Sequence, residues 1–176
     1  MPRLPLVLIA SAPLALAACT TMDGGTPRTI AAATLSRVDG APSGSARIAT
    51  SGKVVRLTVS ASGLDPGVHG IHLHTVGLCE GGGFASAGAH LNPAAHQHGT
   101  ANPAGSHLGD LPNLVIGADG SGKLDTVLRG TPAELSAALF DADGAALVIH
   151  AAADDYRTDP SGNSGARIAC GALRRR

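Results

Sequence analysis

The chain has 176 residues, with 13 lysines and arginines against 13 aspartates and glutamates. That balance excludes nucleic acid as a partner on bulk charge. With no tryptophan, one tyrosine and two phenylalanines, the core must be built from Ala, Val, Leu and Ile, and 24 glycines without a collagen period suit short strands joined by turns.

The chain opens MPRLPLVLIASAPLALAAC. Arg3 is a short basic start, and residues 4–18 are apolar or small. The stretch is too short to span a bilayer as a helix, so 1–18 reads as a secretory signal. Leu16-Ala17-Ala18-Cys19 resembles a bacterial lipobox, which makes Cys19 an acylated first residue and anchors the chain to a membrane by its lipid. The alternative is an ordinary signal with Cys19 unmodified. Thr20, in place of an aspartate, carries no inner-membrane retention signal. The expected location is the periplasm or the outer membrane. Residues 19–28 (CTTMDGGTPR) read as a flexible tether, and 29–176 as one domain.

From residue 29 onward, short apolar stretches alternate with turn signals. Strands are predicted at 29–38, 46–50, 54–60, 68–75, 114–118, 123–128, 136–141, 145–151 and 167–173. Turns fall at Asp39-Gly40, Ser51-Gly52, Asp65-Pro66-Gly67, Asp119-Gly120 and Asp143-Gly144. Pro132-Ala133-Glu134-Leu135 offers a single helical turn. Roughly eight strands at this spacing predict an all-β antiparallel sandwich or barrel. Arg174 to Arg176 read as a solvated tail. With Cys19 acylated, Cys79 and Cys170 remain. An even pair in an exported chain suggests a disulfide, the alternative being two free thiols.

Seven of the eight histidines fall between His69 and Asp110. The stretch begins as a strand and becomes a long Gly-, Ala-, Asn- and Pro-rich loop, which is costly to order without a function. If Ile71 and Leu73 enter the core, His72 and His74 share the outer face. His150 has the same phase against Leu147 and Ile149. His69 has core parity and reads as a structural histidine bonded to backbone. His90, His98, His107 and Asp110 offer three nitrogens and one carboxylate oxygen, a closed set for structural zinc. His72, His74 and His150 form a nitrogen-only set that suits copper. His96 is left as a solvated side chain.

The blocks HGIHLH (69–74), SAGAHLNP (86–93), HGT (98–100), HLGDLPN (107–113), LVIHAAADD (147–155) and GNSGARIACG (162–171) together resemble the copper/zinc superoxide dismutase family. The resemblance implies an eight-stranded antiparallel Greek-key β-sandwich or barrel, immunoglobulin-like, with long metal-binding loops. It implies copper on His72, His74, His90 and His150, and zinc on His90, His98, His107 and Asp110, with His90 bridging the two. Asp154 matches the carboxylate that links a copper histidine, His72, to a zinc histidine, His98. Arg167 matches the arginine that attracts superoxide, and Cys79 and Cys170 match the family's disulfide. The implied activity converts superoxide to dioxygen and hydrogen peroxide by Cu(II)/Cu(I) cycling, with Arg167 and His90 as the reactive groups. The alternatives are a copper-binding or copper-delivery module without turnover, and a structural zinc lipoprotein. The segment 151–167 is shorter than in eukaryotic members. Its only cations are Arg157 and Arg167, and Thr75 stands where many members have an acid. Monomer and homodimer are both open.

Overall fold

A computed structural model describes residues 26–176. The expected signal at 1–18, Cys19 and most of the tether lie outside the described residues. The first three strands, β1 (Arg28–Arg37), β2 (Pro42–Ser51) and β3 (Val54–Ala61), form a meander. In β3, Val55, Leu57, Val59 and Ala61 are buried while Val54, Arg56 and Ser60 are exposed. This is the period of two expected of a strand with one wet face. Gly40 and Gly52 take φ of 83° and 56° in the two turns, a region that glycine enters without strain.

The chain continues through β4 (Gly67–His69), β5 (Ile71–His74), β6 (Leu114–Ile116), β7 (Gly122–Val127), helix α1 (Pro132–Leu139), β8 (Ala146–His150), β9 (Arg167–Ala172) and β10 (Arg174–Arg175). Across the sheet the order is β4-β6-β7-β3-β2-β1-β9-β8-β5, with β10 also on β1. β4 and β5 stand at opposite ends of this order, yet Gly70 alone separates them. One continuous strand therefore pairs with β6 through its first half and β8 through its second. The sheet closes on itself as an antiparallel barrel. Pairings between sequence-distant strands, β1 with β9 and β3 with β7, give it Greek-key connections. Merging β4 with β5 and β9 with β10 turns the ten segments into eight passes of the chain, the number expected.

Inside the barrel Leu35, Ile48, Leu57, Ile71, Leu73, Leu114, Leu147 and Ile149 are fully buried in one cluster. Each such side chain contributes about 1.5–3 kcal/mol on burial. α1 adds Leu135 and Leu139, both fully buried, to the same core.

Two expectations are corrected. The strand expected at 136–141 is mostly helix, because α1 runs two turns from Pro132 to Leu139 rather than one. Its start is well capped. Thr131 Oγ1 accepts from Glu134 N, and Glu134 Oε2 accepts from Thr131 N, at 3.2 and 2.8 Å. This reciprocal box, Pro132 in the first turn and an i, i+4 leucine pair outweigh a short apolar run that read equally as a strand. The C-terminal arginines, expected as a solvated tail, keep exposed side chains but pair through β10 with Ala31 and Ala32, and the Arg175 guanidinium lies 4.1 Å from the Phe140 ring centroid.

Cys79 and Cys170 form a disulfide across 91 residues. It ties the loop after β5 to β9. The double variant Cys79→Ser/Cys170→Ser is expected to lose about 2–5 kcal/mol of unfolding free energy, read from chemical denaturation. An unchanged midpoint would show that the loop is held without it.

Candidate metal centre

The long loop between β5 and β6 is ordered by pairing with β5 on the edge that faces away from β8. Leu91 N and Leu73 N reach Leu73 O and Gly109 O at 2.8 and 3.0 Å, and Thr75 N reaches Ala89 O at 3.0 Å. The antiparallel register sets His74 opposite His90 and His72 opposite Asp110. Residues directly opposite one another point to the same face of a sheet. The register therefore carries loop side chains onto the outer face where the strand histidines already stand. Gly109 makes the approach possible, since a Cβ there would meet Leu73 O at 2.4 Å. The outer face is consequently dry: His72 and His74 are 0% exposed.

His72, His74, His90 and His150 present ligand atoms within 4.8 Å of one another, and so do His72, His90, His98 and Asp110. His107, expected in the second group, lies at its edge. Its Nδ1 is 3.4 Å from His90 Nδ1 and 3.2 Å from Asp110 Oδ1. His69 stands apart, its ring nitrogens against the carbonyls of His150 and Asp65 at 2.7 and 3.0 Å, as expected of a structural histidine. His96 is exposed, with Nδ1 3.1 Å from Ser106 O.

Each ring is held by one nitrogen. His74 Nδ1 faces Gly88 O at 3.0 Å and His150 Nδ1 faces Gly165 O at 3.1 Å. The Asp154 carboxylate takes His72 Nε2 on one oxygen and His98 Nε2 on the other, at 2.8 and 3.0 Å. Carbonyl and carboxylate acceptors place the proton on these nitrogens and leave a lone pair on the other. In the rings that stay neutral those other atoms are His72 Nδ1, His74 Nε2 and His150 Nε2. With His90 Nε2 they are buried without a hydrogen-bond partner. Such atoms are rare and costly unless something else binds them. His98 Nδ1 is 2.9 Å from Asp110 Oδ1, close but not aligned as a hydrogen bond. Asp110 divides its oxygens: Oδ2 accepts from Gly99 N and His107 N, while Oδ1 faces His90, His98 and His107. Buried imidazole nitrogens with one carboxylate fit first-row divalent metals.

Burial holds His72 down at about 4, His74 at about 2 and His150 at about 3. All three are neutral, as ligands must be. Burial opposes charge on His98 as well, but the adjacent carboxylates of Asp110 and Asp154 outweigh it and raise His98 to about 9. Asp110 and Asp154 fall below the ordinary carboxylate range, the histidine contacts outweighing burial. Arg167 donates to Phe84 O and Gly88 O at 2.8 and 2.6 Å. It shares the Gly88 carbonyl with His74, and its charge helps to lower both His74 and His150. A cavity of about 770 Å³ lies between α1 and the loop at 93–108, with His107 and Arg129 in its wall.

Spacing in the sequence does not reveal several supports. Asn113 exchanges hydrogen bonds with Asp154 and donates its backbone N–H to Tyr156 Oη. Asp159 accepts from His98 N at 2.6 Å. Gly162, at φ 62°, packs so closely that a Cβ would lie 1.8 Å from Asp154 Oδ1.

Gly162→Ala is expected to cost about 1–3 kcal/mol by displacing Asp154 and straining the backbone. Gly82→Ala, with nothing within 4 Å, should stay within about 0.5 kcal/mol of the parent. Equal unfolding midpoints for the two would refute the close packing.

In the metal-free chain, His72, His74 and His150 have folded pKa values below the usual 6.5. The unfolded chain then binds more protons, so stability is lost as pH falls below about 6.5. His98 acts oppositely, and its contribution is lost as pH rises through about 9. Metal-free denaturation midpoints should therefore peak at about pH 7, where proton binding by the two states balances, and fall on both sides. A midpoint that rises toward about pH 9 would contradict the protonated His98.

Residues 42–173 match the model of the copper/zinc superoxide dismutase family. The chain is 48% identical over 120 residues to the superoxide dismutase-like protein YojM of Bacillus subtilis, a match covering 65% of this chain and 60% of that protein. It is 38% identical to a Cu-Zn superoxide dismutase of Caulobacter vibrioides over 173 residues, 95% of this chain and 98% of that one. A crystal structure of a SOD-like protein from Bacillus subtilis superposes with a TM-score of 0.76 at 40% identity, covering 82% of this chain and 99% of that one.

Proposed function

The chain belongs to the copper/zinc superoxide dismutase family, and we propose that it converts superoxide to dioxygen and hydrogen peroxide. The observation that carries this is the set of buried ring nitrogens without hydrogen-bond partners, converging beside the fixed charge of Arg167. In this reading His72, His74, His90 and His150 hold copper. His90, His98, His107 and Asp110 hold zinc, so His90 serves both. Copper supplies one-electron exchange with superoxide through its Cu(II) and Cu(I) states. The residues do the rest. Arg167, braced by two carbonyls, draws in the anion and holds it beside His74. His90 Nε2 is the atom that accepts a proton and returns it to the reduced product. Asp154 keeps His72 and His98 in fixed tautomer and orientation, as outer carboxylates do for ligating histidines. The balance is two superoxide ions and two protons to one dioxygen and one hydrogen peroxide.

The leader at 1–18, acylation of Cys19 and the tether at 19–28 belong to the same proposal. They would hold the domain at 29–176 on a membrane facing the periplasm or outside, a compartment where the Cys79–Cys170 disulfide persists. Mass spectrometry of the mature N-terminus tests the lipid directly.

A copper-binding or copper-delivery module without turnover is the second reading, favoured by the name of the Bacillus relative, which is superoxide dismutase-like. Dismutation per bound copper separates the two. For Arg167→Ala the enzyme reading expects unchanged copper and zinc content, with activity per copper lowered by at least about fivefold. That factor corresponds to roughly 1 kcal/mol for a unit charge about 4 Å away through water. The variant should also show weaker dependence on ionic strength. Full metal content in the parent without turnover would leave the copper-handling module standing.

A further inference from the structure

The reading above gives no work to Arg129, which follows β7 and precedes α1. From a single nitrogen, Nη2, it donates to two main-chain carbonyls, those of His107 and Asp110, each at 2.9 Å. Among the described residues the arginine–carboxylate pairs are Arg37–Asp39 and Arg56–Asp125, so no acid neutralises Arg129. Its two carbonyls belong to His107 and Asp110, two of the four residues of the proposed zinc set. They are also the ends of one turn. His107 O accepts from Asp110 N at a long 3.4 Å, and Asp110 Oδ2 accepts from His107 N at 3.0 Å. The turn's own backbone bond is weak at that length, and Arg129 closes it from outside.

We infer that Arg129 is a positioning residue for the zinc set: it locks the main chain at 107–110 so that His107 Nδ1 and Asp110 Oδ1 meet His90 and His98. The inference rests on the proposed zinc site. Charge and geometry make opposite predictions here. A guanidinium close to a dication repels it, so if charge decided the outcome, losing Arg129 would tighten zinc binding. If positioning decides it, the same loss loosens zinc binding, as removal of outer partners of metal ligands does.

The test is chelator competition for Zn²⁺ on the exported protein and its variants, free of copper, beside the melting temperature of each metal-free form. Arg129→Ala is expected to bind zinc about 10–100-fold more weakly, with copper affinity at the His72, His74 and His150 set changed much less. Arg129→Lys, whose one nitrogen can also reach two acceptors, should fall between the two. Zinc bound by Arg129→Ala as tightly as by the parent, or more tightly, overturns the inference. So does a lower metal-free melting temperature with unchanged zinc affinity, which marks a plain structural brace. Should Arg129→Ala not fold, the lysine variant decides: weaker binding than the parent supports positioning, and equal or tighter binding overturns it. A parent that takes up no zinc removes the site itself, a failure of the functional reading distinct from the others.

Discussion

The edge pairing between β5 and the long loop is the constraint on which the site depends. β5 uses one edge for β8 and the other for residues near His90 and Asp110. Register on that second edge decides which loop side chains share a face with His72 and His74. A slip by one residue would turn His90 and Asp110 to the opposite side. The close backbone approach at Gly109 and the run of short hydrogen bonds from Thr75 to Gly109 hold the register. An otherwise expensive loop is thereby built as an extra partner of the barrel wall.

The second organising element is a single carboxylate. Asp154 is buried, and its two oxygens bind rings from opposite halves of the site, His72 on the strand and His98 in the loop. It is held in turn by Asn113 and by the tight packing of Gly162. An unpaired buried carboxylate would be very costly. Here the histidine contacts and the Tyr156 N–H favour its ionised form, and the ionised form fixes the orientation of both rings and the tautomer of His72. His72, like His74 and His150, then turns a lone pair inward, where the metal-free fold has nothing to satisfy it. The interior of the site is thus organised at a cost in stability that a bound cation would offset.

Around this centre the segment 151–167 is short and held by local bonds. Asp155 accepts from Thr158 Oγ1, from the backbone N–H groups of Thr158 and Arg157, and from Asn163. These bonds, that from the Thr158 hydroxyl first, draw its carboxyl down to about 2. The segment delivers Arg167 at its far end, where β9 begins. Arg167 is half-buried and donates to two carbonyls. This fixed charge beside His74 is thus positioned by backbone acceptors, with no carboxylate paired to it among the described residues.

Much of this was legible in the sequence because strands have a period of two. The alternation of His72 and His74 with Ile71 and Leu73, and of His150 with Ile149, identified an outer histidine face before any coordinates. The even pair of cysteines suggested the disulfide. The region around α1 misled because 136–141 is short and apolar, and a short apolar run carries no period of its own. The capping box at Thr131 and Glu134 was written in the sequence, but its reach depended on Leu135 and Leu139 finding the core. The order of the C-terminal arginines depended likewise on β1 offering a partner. Residue types and periodicity by themselves determined the all-β class, the donor chemistry and the face on which the strand histidines lie, since these follow from local backbone geometry. Only the tertiary structure decided that this face is dry, that His107 stands outside the two groups whose ligand atoms lie within 4.8 Å of one another, and that Arg129 grips the turn at 107–110. Each of these depends on contacts between residues far apart in the chain, made only once the loop pairs with the barrel.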